Sequence, residues 1–237
     1  MGDDVSPGWR VEPLEVGDPP VLLARSIELL EGLTTDPRPT LRWYRSTRTA
    51  IVLGRGQRPD AARGTKDVQV LVRHSGGGAV LLDPSLLSAE VALPTGHPLL
   101  EGDLSAVFLR VGEAWRDALT DLGVADLRVH RGAGTASRRG DERDRLLAAV
   151  CYATVGRGEV LAGGRKLVGL AQRRRRPGAL VQCGLLRSWD PAALLAALGA
   201  DPADREIAEA AVGLDDLLED APSDGMLIEA VSSRLAG

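Results

Sequence analysis

A run of three consecutive glycines, Gly76 to Gly78, is the first segment whose residue types could do chemistry. Arg73 and Ser75 precede the run, and Ala79 follows it. Consecutive glycines let the backbone approach a ligand closely and can direct N–H groups toward an oxyanion. No Gly-Lys-Ser/Thr follows, and the next residues are strand-like rather than helical. The run is therefore neither a Walker loop nor a dinucleotide-binding fingerprint.

Lys166 is the second candidate, because lysine is rare in this chain. Of 29 lysines and arginines, only Lys66 and Lys166 are lysine. Arginine presents a rigid fork of donors, whereas lysine is a compact point charge. A lysine retained in an arginine-rich chain is therefore slightly informative, and the alternative is a solvated lysine at the end of a strand. A buried or half-buried lysine could contact a phosphate or carbonyl oxygen as negative charge develops there.

Cys151 is a candidate nucleophile that precedes Lys166 by 15 positions (166 − 151). A thiolate is a good nucleophile, and a nearby ammonium group favours the thiolate form. The alternative is a buried apolar cysteine, since free cysteine is among the most buried residue types. Both interpretations stay open for Cys151. Cys183 lies inside a predicted strand and is expected to belong to the core.

The elements that position these residues are predicted from periodicity and turn residues. Helices are predicted over 20–33 and 104–122, after Asp190-Pro191, and in amphipathic pieces over 204–218 and 224–235. Strands are predicted over 41–44, 50–53, 67–72, 79–82, 88–93, 127–129, 150–153, 159–162, 165–171 and 178–186. The Gly- and Arg-rich residues 131–145 predict a mobile loop. Strands and helices that do not strictly alternate favour an α+β fold with a mixed, mostly antiparallel sheet flanked by helices.

The composition narrows the function classes. A net charge of -4 argues against nucleic-acid binding as the main role. No apolar stretch of about 18 residues appears, so we expect no membrane-spanning helix and no membrane partner. The acidic N-terminus lacks a signal-peptide pattern, and two cysteines do not make a disulfide framework, so we expect a cytoplasmic location. The histidines show no metal-ligand spacing, so we expect no metal site.

Together, the motifs resemble the lipoate–protein ligase and octanoyltransferase family, which is related to the biotin–protein ligases. The Arg-x-Ser-Gly-Gly-Gly-Ala loop is followed by Gly-Arg-Lys-x-x-Gly-x-Ala-Gln, and Gly54-Arg55-Gly56-Gln57 is similar to an earlier Gly-Arg-x-Gln element. The resemblance extends over residues 20–190. It implies a biotin/lipoate protein ligase-like catalytic domain at residues 1–190. We expect residues 191–237 to form a short helical extension packed on the same domain.

The resemblance also implies roles for the matching residues. Lys166 would contact the acyl carbonyl or the phosphate of an acyl-adenylate. The residues expected to bind the substrate are Arg73, Ser75, Gly76, Gly77, Gly78, Ala79, Asp83, Gly169 and Gln172. Two positions depart from the family pattern: Leu82 stands where many lipoate ligases have a histidine, and Pro84-Ser85 replaces Gly-Asn. These departures affect the expected contacts to nucleotide or metal.

Three functions are compatible with the resemblance. The first, which the motifs favour, is ligation through an acyl-adenylate, with ATP and possibly Mg²⁺ as co-substrates and a lipoyl or octanoyl group joined to a protein lysine. The second is ATP-independent transfer from an octanoyl donor such as acyl carrier protein. The separation of Cys151 from Lys166 resembles that in the octanoyltransferase branch of the family, which forms a thioester on cysteine. The third is a non-catalytic relative that binds lipoyl groups or acyl-adenylate. No permanently bound cofactor is expected.

The implied acceptors are lipoyl domains of 2-oxoacid dehydrogenases or the H protein of the glycine cleavage system. The run Arg173 to Arg176 follows the lysine strand and is predicted to form a hairpin tip. This tip is either simply solvated or attracts an acidic lipoyl domain to the site.

Overall fold

The computed structural model describes residues 8–64, 68–135 and 140–237, which form two β-sheets with helices packed on them. The helices are α1 (Pro19–Gly32), α2 (Ala106–Asp121), α3 (Glu142–Ala149), α4 (Ala192–Ala197), α5 (Arg205–Glu209) and α6 (Asp224–Ala236). The strands are β1 (Arg10–Val11), β2 (Glu15–Gly17), β3 (Thr40–Ser46), β4 (Ala50–Leu53), β5 (Gln69–Val72), β6 (Val80–Leu82), β7 (Leu86–Pro94), β8 (Leu127–Val129), β9 (Val160–Ala162), β10 (Arg165–Arg175) and β11 (Gly178–Leu186).

The larger sheet has the strand order β1-β3-β7-β11-β10-β9-β8, and β2 also pairs with β3. Neighbours from β3 to β8 are antiparallel, whereas β1 and β2 run parallel to β3. The smaller sheet has the order β5-β4-β6, in which β4 is parallel to β5 and antiparallel to β6. The predicted α+β fold with a mostly antiparallel sheet is confirmed.

One face of the larger sheet is covered by α2 and α6. Val107, Val111 and Trp115 recur at helical spacing along α2, and all three are buried in the main core. Leu227 and Val231 of α6 join the same core. The last helix therefore packs on the sheet, while the domain boundary at residue 190 stays a prediction. Within the described ranges, no helix has both the length and the apolar character needed to cross a bilayer.

The opposite face of the larger sheet is covered by α1 and by the smaller sheet. Leu29 and Leu30 of α1 pack against Leu180 of β11. Ile51 and Leu53 of β4 are buried in a second core that also contains the leucines of α4. A cleft lies where α1, the smaller sheet and strands β10 and β11 meet.

Three local predictions are wrong. Residues 131–145 are not one loop, because α3 begins at Glu142 with Asp141 Oδ1 accepting from Asp144 N at 2.9 Å; residues 136–139 lie outside the described part of the chain. The strand over 150–153 is absent from this described segment, since Val150 makes a single bridge to Ala79 and Cys151–Ala153 form a 3₁₀ turn. Only Arg205–Glu209 of the piece over 204–218 is an α-helix.

Candidate active site

The glycine run and Lys166 both contact the turn that carries Cys151, and this turn borders the cleft. The loop between β5 and β6 carries the glycines, the 3₁₀ turn after α3 carries Cys151, and β10 carries Lys166. The loop and the turn are joined by two backbone hydrogen bonds. Ala79 N donates to Ala149 O at 2.6 Å, and Cys151 N donates to Ala79 O at 2.9 Å. The nucleophile candidate is therefore fixed by the end of the glycine loop.

The glycines of this loop allow backbone to pack on backbone. A Cβ on Gly78 would lie 2.7 Å from Cys151 N and 2.8 Å from Val150 C. A Cβ on Gly54, at the end of β4, would lie 2.0 Å from Gly77 O. Gly77 itself has a φ of +99°, a region that residues with side chains rarely adopt. These close approaches leave no room for a side chain at Gly54 or Gly78.

Arg73 stabilises the loop by hydrogen bonds to its backbone carbonyls. Its buried guanidinium donates through Nη2 to Gly76 O at 2.7 Å and to Gly78 O at 2.8 Å. Nη1 donates to Val52 O at 3.2 Å, and Nε donates to Ser75 Oγ at 3.1 Å. Arg73 borders the cleft as expected, but its donors are engaged by the protein itself.

A chain of buried polar side chains continues from Ser75 across the larger sheet, and the sequence analysis missed it. Ser75 Oγ donates to Gln182 Oε1 at 2.6 Å, and Gln182 Nε2 donates to Glu90 Oε1 at 2.7 Å. Arg42 pairs with Glu90 at 2.8 Å and with Glu15 at 2.9 Å. The available signal was Arg42 in the predicted strand 41–44 and Glu90 in the predicted strand 88–93. Charged residues are rarely buried unless they are paired, so a charge in each of two apolar strands indicates a pair.

Lys166 is almost completely buried and contacts three oxygen acceptors. Its Nζ lies 2.7 Å from Glu159 Oε1, 2.8 Å from Cys151 O and 3.1 Å from Thr154 O. An ammonium group has three protons, so these acceptors match its full donor capacity. Nζ also lies 4.0 Å from Cys151 Sγ. Lys166 therefore anchors the turn that carries the thiol and places a positive charge beside it.

Glu159 completes this arrangement and was also missed by the sequence analysis. It is buried, and it accepts from Leu170 N at 3.0 Å and from Gly156 N at 2.7 Å in addition to its ion pair with Lys166. A buried ion pair is tolerated when hydrogen bonds satisfy its remaining polar atoms, which is the case for this carboxylate. Glu159 therefore fixes the position of the Lys166 ammonium.

Tyr152 fills the space between this ion pair and β11. Its ring centroid lies 5.0 Å from Lys166 Nζ, and its hydroxyl donates to Gly184 O at 2.7 Å. Burial raises the pKa of the Tyr152 phenol well above its ordinary value, so the hydroxyl keeps its proton. A Cβ on Gly169 would lie 3.3 Å from the tyrosine ring, and one on Gly184 would lie 2.7 Å from the hydroxyl. This glycine pair makes room for Tyr152.

An apolar pocket opens beside Cys151. Its apolar lining includes Leu23, Val52, Val80, Leu82 and Leu86. Gly169, Arg73 and the half-exposed Cys151 also border it. Small-molecule sites are typically concave and mostly apolar, with a few polar groups. The second cysteine, Cys183, lies in its wall, and burial raises the pKa of that thiol to about 12.

Of the nine residues predicted to bind the substrate, Arg73 and Gly169 line this pocket. Ser75, Gly76, Gly77, Gly78 and Ala79 belong to the loop between β5 and β6 and are not part of its lining. Asp83 and Gln172 lie elsewhere. Asp83 Oδ1 accepts from Ser85 N at 2.8 Å and from Ser85 Oγ at 2.6 Å, and it borders a separate cavity beside Trp189. Gln172 lies three residues beyond Gly169 on β10 and so points to the other face, where its amide reaches Leu104 O at 3.2 Å. In the described part of the chain, no three His, Cys, Asp or Glu side chains are grouped to hold a metal ion.

Comparison with known proteins places this geometry in a family. Residues 18–235 match the lipoyl protein ligase A/B catalytic domain. An octanoyltransferase LipM of Moorella thermoacetica is 32% identical over 181 residues, which are 74% of this chain and 63% of that protein. The chain thus spans less than two thirds of this relative. The resemblance expected from the motifs is confirmed.

Solved structures share the fold at lower sequence identity. The crystal structure of lipoate-protein ligase A bound with ATP gives a TM-score of 0.73 at 21% identity, covering 95% of this chain and 85% of the other. A bipartite lipoate protein ligase of Thermoplasma acidophilum, described together with its E2 lipoyl domain, gives 0.65 at 20% identity, covering 95% and 83%. The ligase-like fold inferred from the motifs is confirmed.

Proposed function

The chain belongs to the lipoyl protein ligase A/B catalytic domain family, and on that premise we propose that it transfers an octanoyl group to a protein lysine through a thioester on Cys151. One observation carries the proposal: the Cys151 thiol borders the apolar pocket and lies 4.0 Å from the buried Lys166 ammonium. In this proposal the pocket holds the acyl chain, and we call it the acyl pocket. The octanoyltransferase name of the Moorella thermoacetica relative favours the same acyl group.

The first step forms the acyl-cysteine. The Cys151 thiolate attacks the carbonyl carbon of an octanoyl thioester, the new C–S bond forms, and the C–S bond to the donor breaks. The donor leaves as a thiolate and takes up the proton that Cys151 has lost. The positive charge on Lys166 favours both the attacking thiolate and the oxyanion of the tetrahedral intermediate.

The second step transfers the acyl group to the acceptor. The neutral amine of an acceptor lysine attacks the acyl-cysteine, a C–N amide bond forms, and the C–S bond breaks. The amine gives up a proton, and Cys151 recovers one. Because the acyl group arrives as a thioester, the sequence of steps needs no ATP. We propose acyl carrier protein as donor and lipoyl domains of 2-oxoacid dehydrogenases or the glycine cleavage H protein as acceptors.

Lys166 acts in this scheme mainly through a fixed charge. Its three acceptors already match its donor capacity, so a hydrogen bond to the oxyanion requires exchange of one carbonyl partner. The carbonyl of Thr154 is the longest of these contacts, at 3.1 Å, and is the one that we expect to be exchanged.

Ligation through an acyl-adenylate is the second candidate, and we place it below transfer, in the reverse of the order that the motifs alone favoured. The cations assigned to adenylate contacts are Arg73 and Lys166, and both direct their donors to oxygens of the protein. The observation in favour of ligation is the similar fold of a lipoate-protein ligase crystallised with ATP. This route would use lipoate, ATP and Mg²⁺.

Intact mass spectrometry separates these functions. The protein is incubated with octanoyl-acyl carrier protein without ATP, and an octanoyl adduct is expected that is lost in Cys151→Ala and retained in Cys183→Ser. Added lipoyl domain should then gain the octanoyl group. Modification of the lipoyl domain that needs lipoate and ATP and survives Cys151→Ala would instead establish ligation. No modification with either donor would indicate a non-catalytic relative.

A further inference from the structure

The acyl pocket meets a second pocket on its side away from Cys151. The second pocket lies between α1 and the distal halves of β10 and β11, and its lining includes Ile27, Arg173 and Arg175. We call the boundary between the two pockets the constriction, because Leu23, Arg73 and Gln182 line both of them.

Paired residues of β10 and β11 give a scale along the floor of both pockets. Same-face pairs occur at Gly169 with Gly184, at Ala171 with Gln182, and at Arg173 with Leu180. Residues two apart on a strand are separated by about 7 Å, so the second and third pairs lie about 7 and 13 Å from the first. Tyr152 and Lys166 lie over the first pair, and Gln182 of the constriction belongs to the second.

The length of an acyl chain can be set against this scale. Three bonds of an extended chain span about 3.3–3.6 Å, as they do in one residue of a polypeptide. The seven C–C bonds of an octanoyl group therefore reach about 8 Å. An octanoyl carbonyl near the first pair thus places the terminal methyl at the constriction. The 11 C–C bonds of a dodecanoyl group reach about 13 Å, which extends into the second pocket.

The constriction is held rigidly on its polar side. The Gln182 amide is fixed at one end by Ser75 at 2.6 Å and at the other by Glu90 at 2.7 Å. Arg73 is fixed by its bonds to Gly76 and Gly78. Moving either side chain aside would leave buried polar groups without partners, which is costly.

The second pocket combines charged and apolar side chains. Arg173 lies in its wall near Arg175 and Arg55, and burial together with these like charges lowers the pKa of the Arg173 guanidinium. A chain end that enters would displace water from these charged groups. It would also contact apolar side chains of α1 and Leu180, so the barrier to a longer chain is the constriction rather than the pocket beyond it.

We propose that the constriction of Leu23, Arg73 and Gln182 sets the length of acyl chain that the acyl pocket accepts and favours about eight carbons. The proposal rests on the proposed function, because it takes Cys151 as the point of attachment. Leu23 is the member to vary, since it is half-buried on α1 and takes no part in the polar chain from Ser75 to Glu90.

The test uses Leu23→Ala to widen the constriction and Leu23→Trp to narrow it. Ile27→Ala is the matched control, because Ile27 is also a half-buried aliphatic residue of α1 but lines the second pocket alone. Acyl carrier protein thioesters of six, eight, ten and twelve carbons compete for Cys151, and intact mass gives the ratio of adducts. Urea unfolding checks that each variant is folded.

We expect the unsubstituted protein to favour eight carbons. Leu23→Ala should raise the ratio of twelve-carbon to eight-carbon adduct by about tenfold or more, because each buried methylene contributes to affinity. Leu23→Trp should shift the preference to six carbons, and Ile27→Ala should keep the original ratio. If all variants are acylated with the same length preference, or if Ile27→Ala shifts the preference as much as Leu23→Ala does, the constriction does not set the chain length. Acylation of Cys151, and with it the proposed function, would still stand. No acylation of the unsubstituted protein by any donor overturns the proposed function, and the constriction with it.

Discussion

Substitution of single glycines in the loop between β5 and β6 tests whether this loop positions Cys151. Gly78→Ala places a methyl group 2.7 Å from Cys151 N, 2.8 Å from Val150 C and 2.9 Å from Ala149 C. All three atoms belong to the backbone and cannot move as a side-chain end can. Gly76→Ala is the matched control. No atom of the described residues lies within 4 Å of a Cβ at Gly76, and its φ lies outside the left-handed region.

The expected change in the free energy of unfolding follows from the backbone atoms that must move to admit the new methyl group. Overpacking in a tightly packed region costs about 1–3 kcal/mol. The bonds from Ala79 N to Ala149 O and from Cys151 N to Ala79 O cross the same contact, and each contributes about 1 kcal/mol. We expect Gly78→Ala to lower the free energy of unfolding by about 2–4 kcal/mol. Gly76→Ala should leave it unchanged or raise it by up to about 1 kcal/mol, because alanine restricts the unfolded chain.

Two assays read the outcome. Urea denaturation gives the free energy of unfolding, and the rate of octanoyl transfer to Cys151 gives the placement of the thiol. Displacement of a reacting group by about 1 Å can slow a reaction about 100-fold, so we expect a loss of that order for Gly78→Ala and less than threefold for Gly76→Ala. Equal stabilities and equal rates for the two variants would refute the positioning role of Gly78.

Three further outcomes are expected around the same site. Lys166→Met should lower the free energy of unfolding by about 3–5 kcal/mol because Glu159 is left buried without its cation. Adding Glu159→Gln should recover part of the loss in urea denaturation, because it removes the unpaired charge but leaves one oxygen to accept from both Gly156 N and Leu170 N; an unrelieved loss in the double variant contradicts this. With a pKa of about 12, fewer than about one in 10³ Cys183 thiols is ionised at pH 8, and this fraction rises about tenfold per pH unit. Iodoacetamide at pH 8 should therefore alkylate Cys151 alone in peptide mapping, and labelling of both cysteines would argue against it. Tyr152→Phe removes the hydroxyl that donates a hydrogen bond to Gly184 O on β11, and it should lower the free energy of unfolding by about 1–2 kcal/mol. A loss below about 0.5 kcal/mol in urea denaturation would contradict the importance of that hydrogen bond.

The long elements of the fold were predictable because their side chains repeat at the period of the element. The stripe of Val107, Val111 and Trp115 predicted α2, and the alternating or continuous apolar segments predicted the central strands. The short strands β1 and β2 were missed because each contains a single apolar residue, whereas the equally short β6, β8 and β9 contain two or three. Helix α3 was missed because its sequence is dominated by charged residues and resembles a loop. Its N-cap, Asp141, was the available signal.

The site was predictable in part. Motif order placed the glycines near Lys166, whereas the chain from Ser75 to Glu90 depends on pairing between strands that are distant in sequence. Glu159 could have been found from local rules. The Gly163-Gly164 turn pairs Leu161 with Lys166, and a residue two positions before Leu161 points to the same face. Gln172 could not have been excluded in the same way, because Lys166 has the same odd separation from Gly169 and reaches the site through a register shift between Lys166 and Val168 that the sequence does not reveal.

The geometry changes the role that the sequence suggested for the glycine run. Consecutive glycines can cradle an anion with their N–H groups, but in this loop Gly54 and Gly78 are explained by backbone contacts at 2.0 and 2.7 Å. The carbonyls of Gly76 and Gly78 face the Arg73 guanidinium, so this side of the loop is directed into the protein. On the other side of the turn, Lys166 Nζ donates to the carbonyl of Cys151 at 2.8 Å. The glycine loop and the lysine thus contact the same short turn from opposite sides, and we propose that together they fix the Cys151 thiol at the edge of the acyl pocket. It follows that substitutions in either segment should change the reactivity of Cys151 toward a small alkylating agent, which needs no acyl pocket, as well as the rate of acyl transfer.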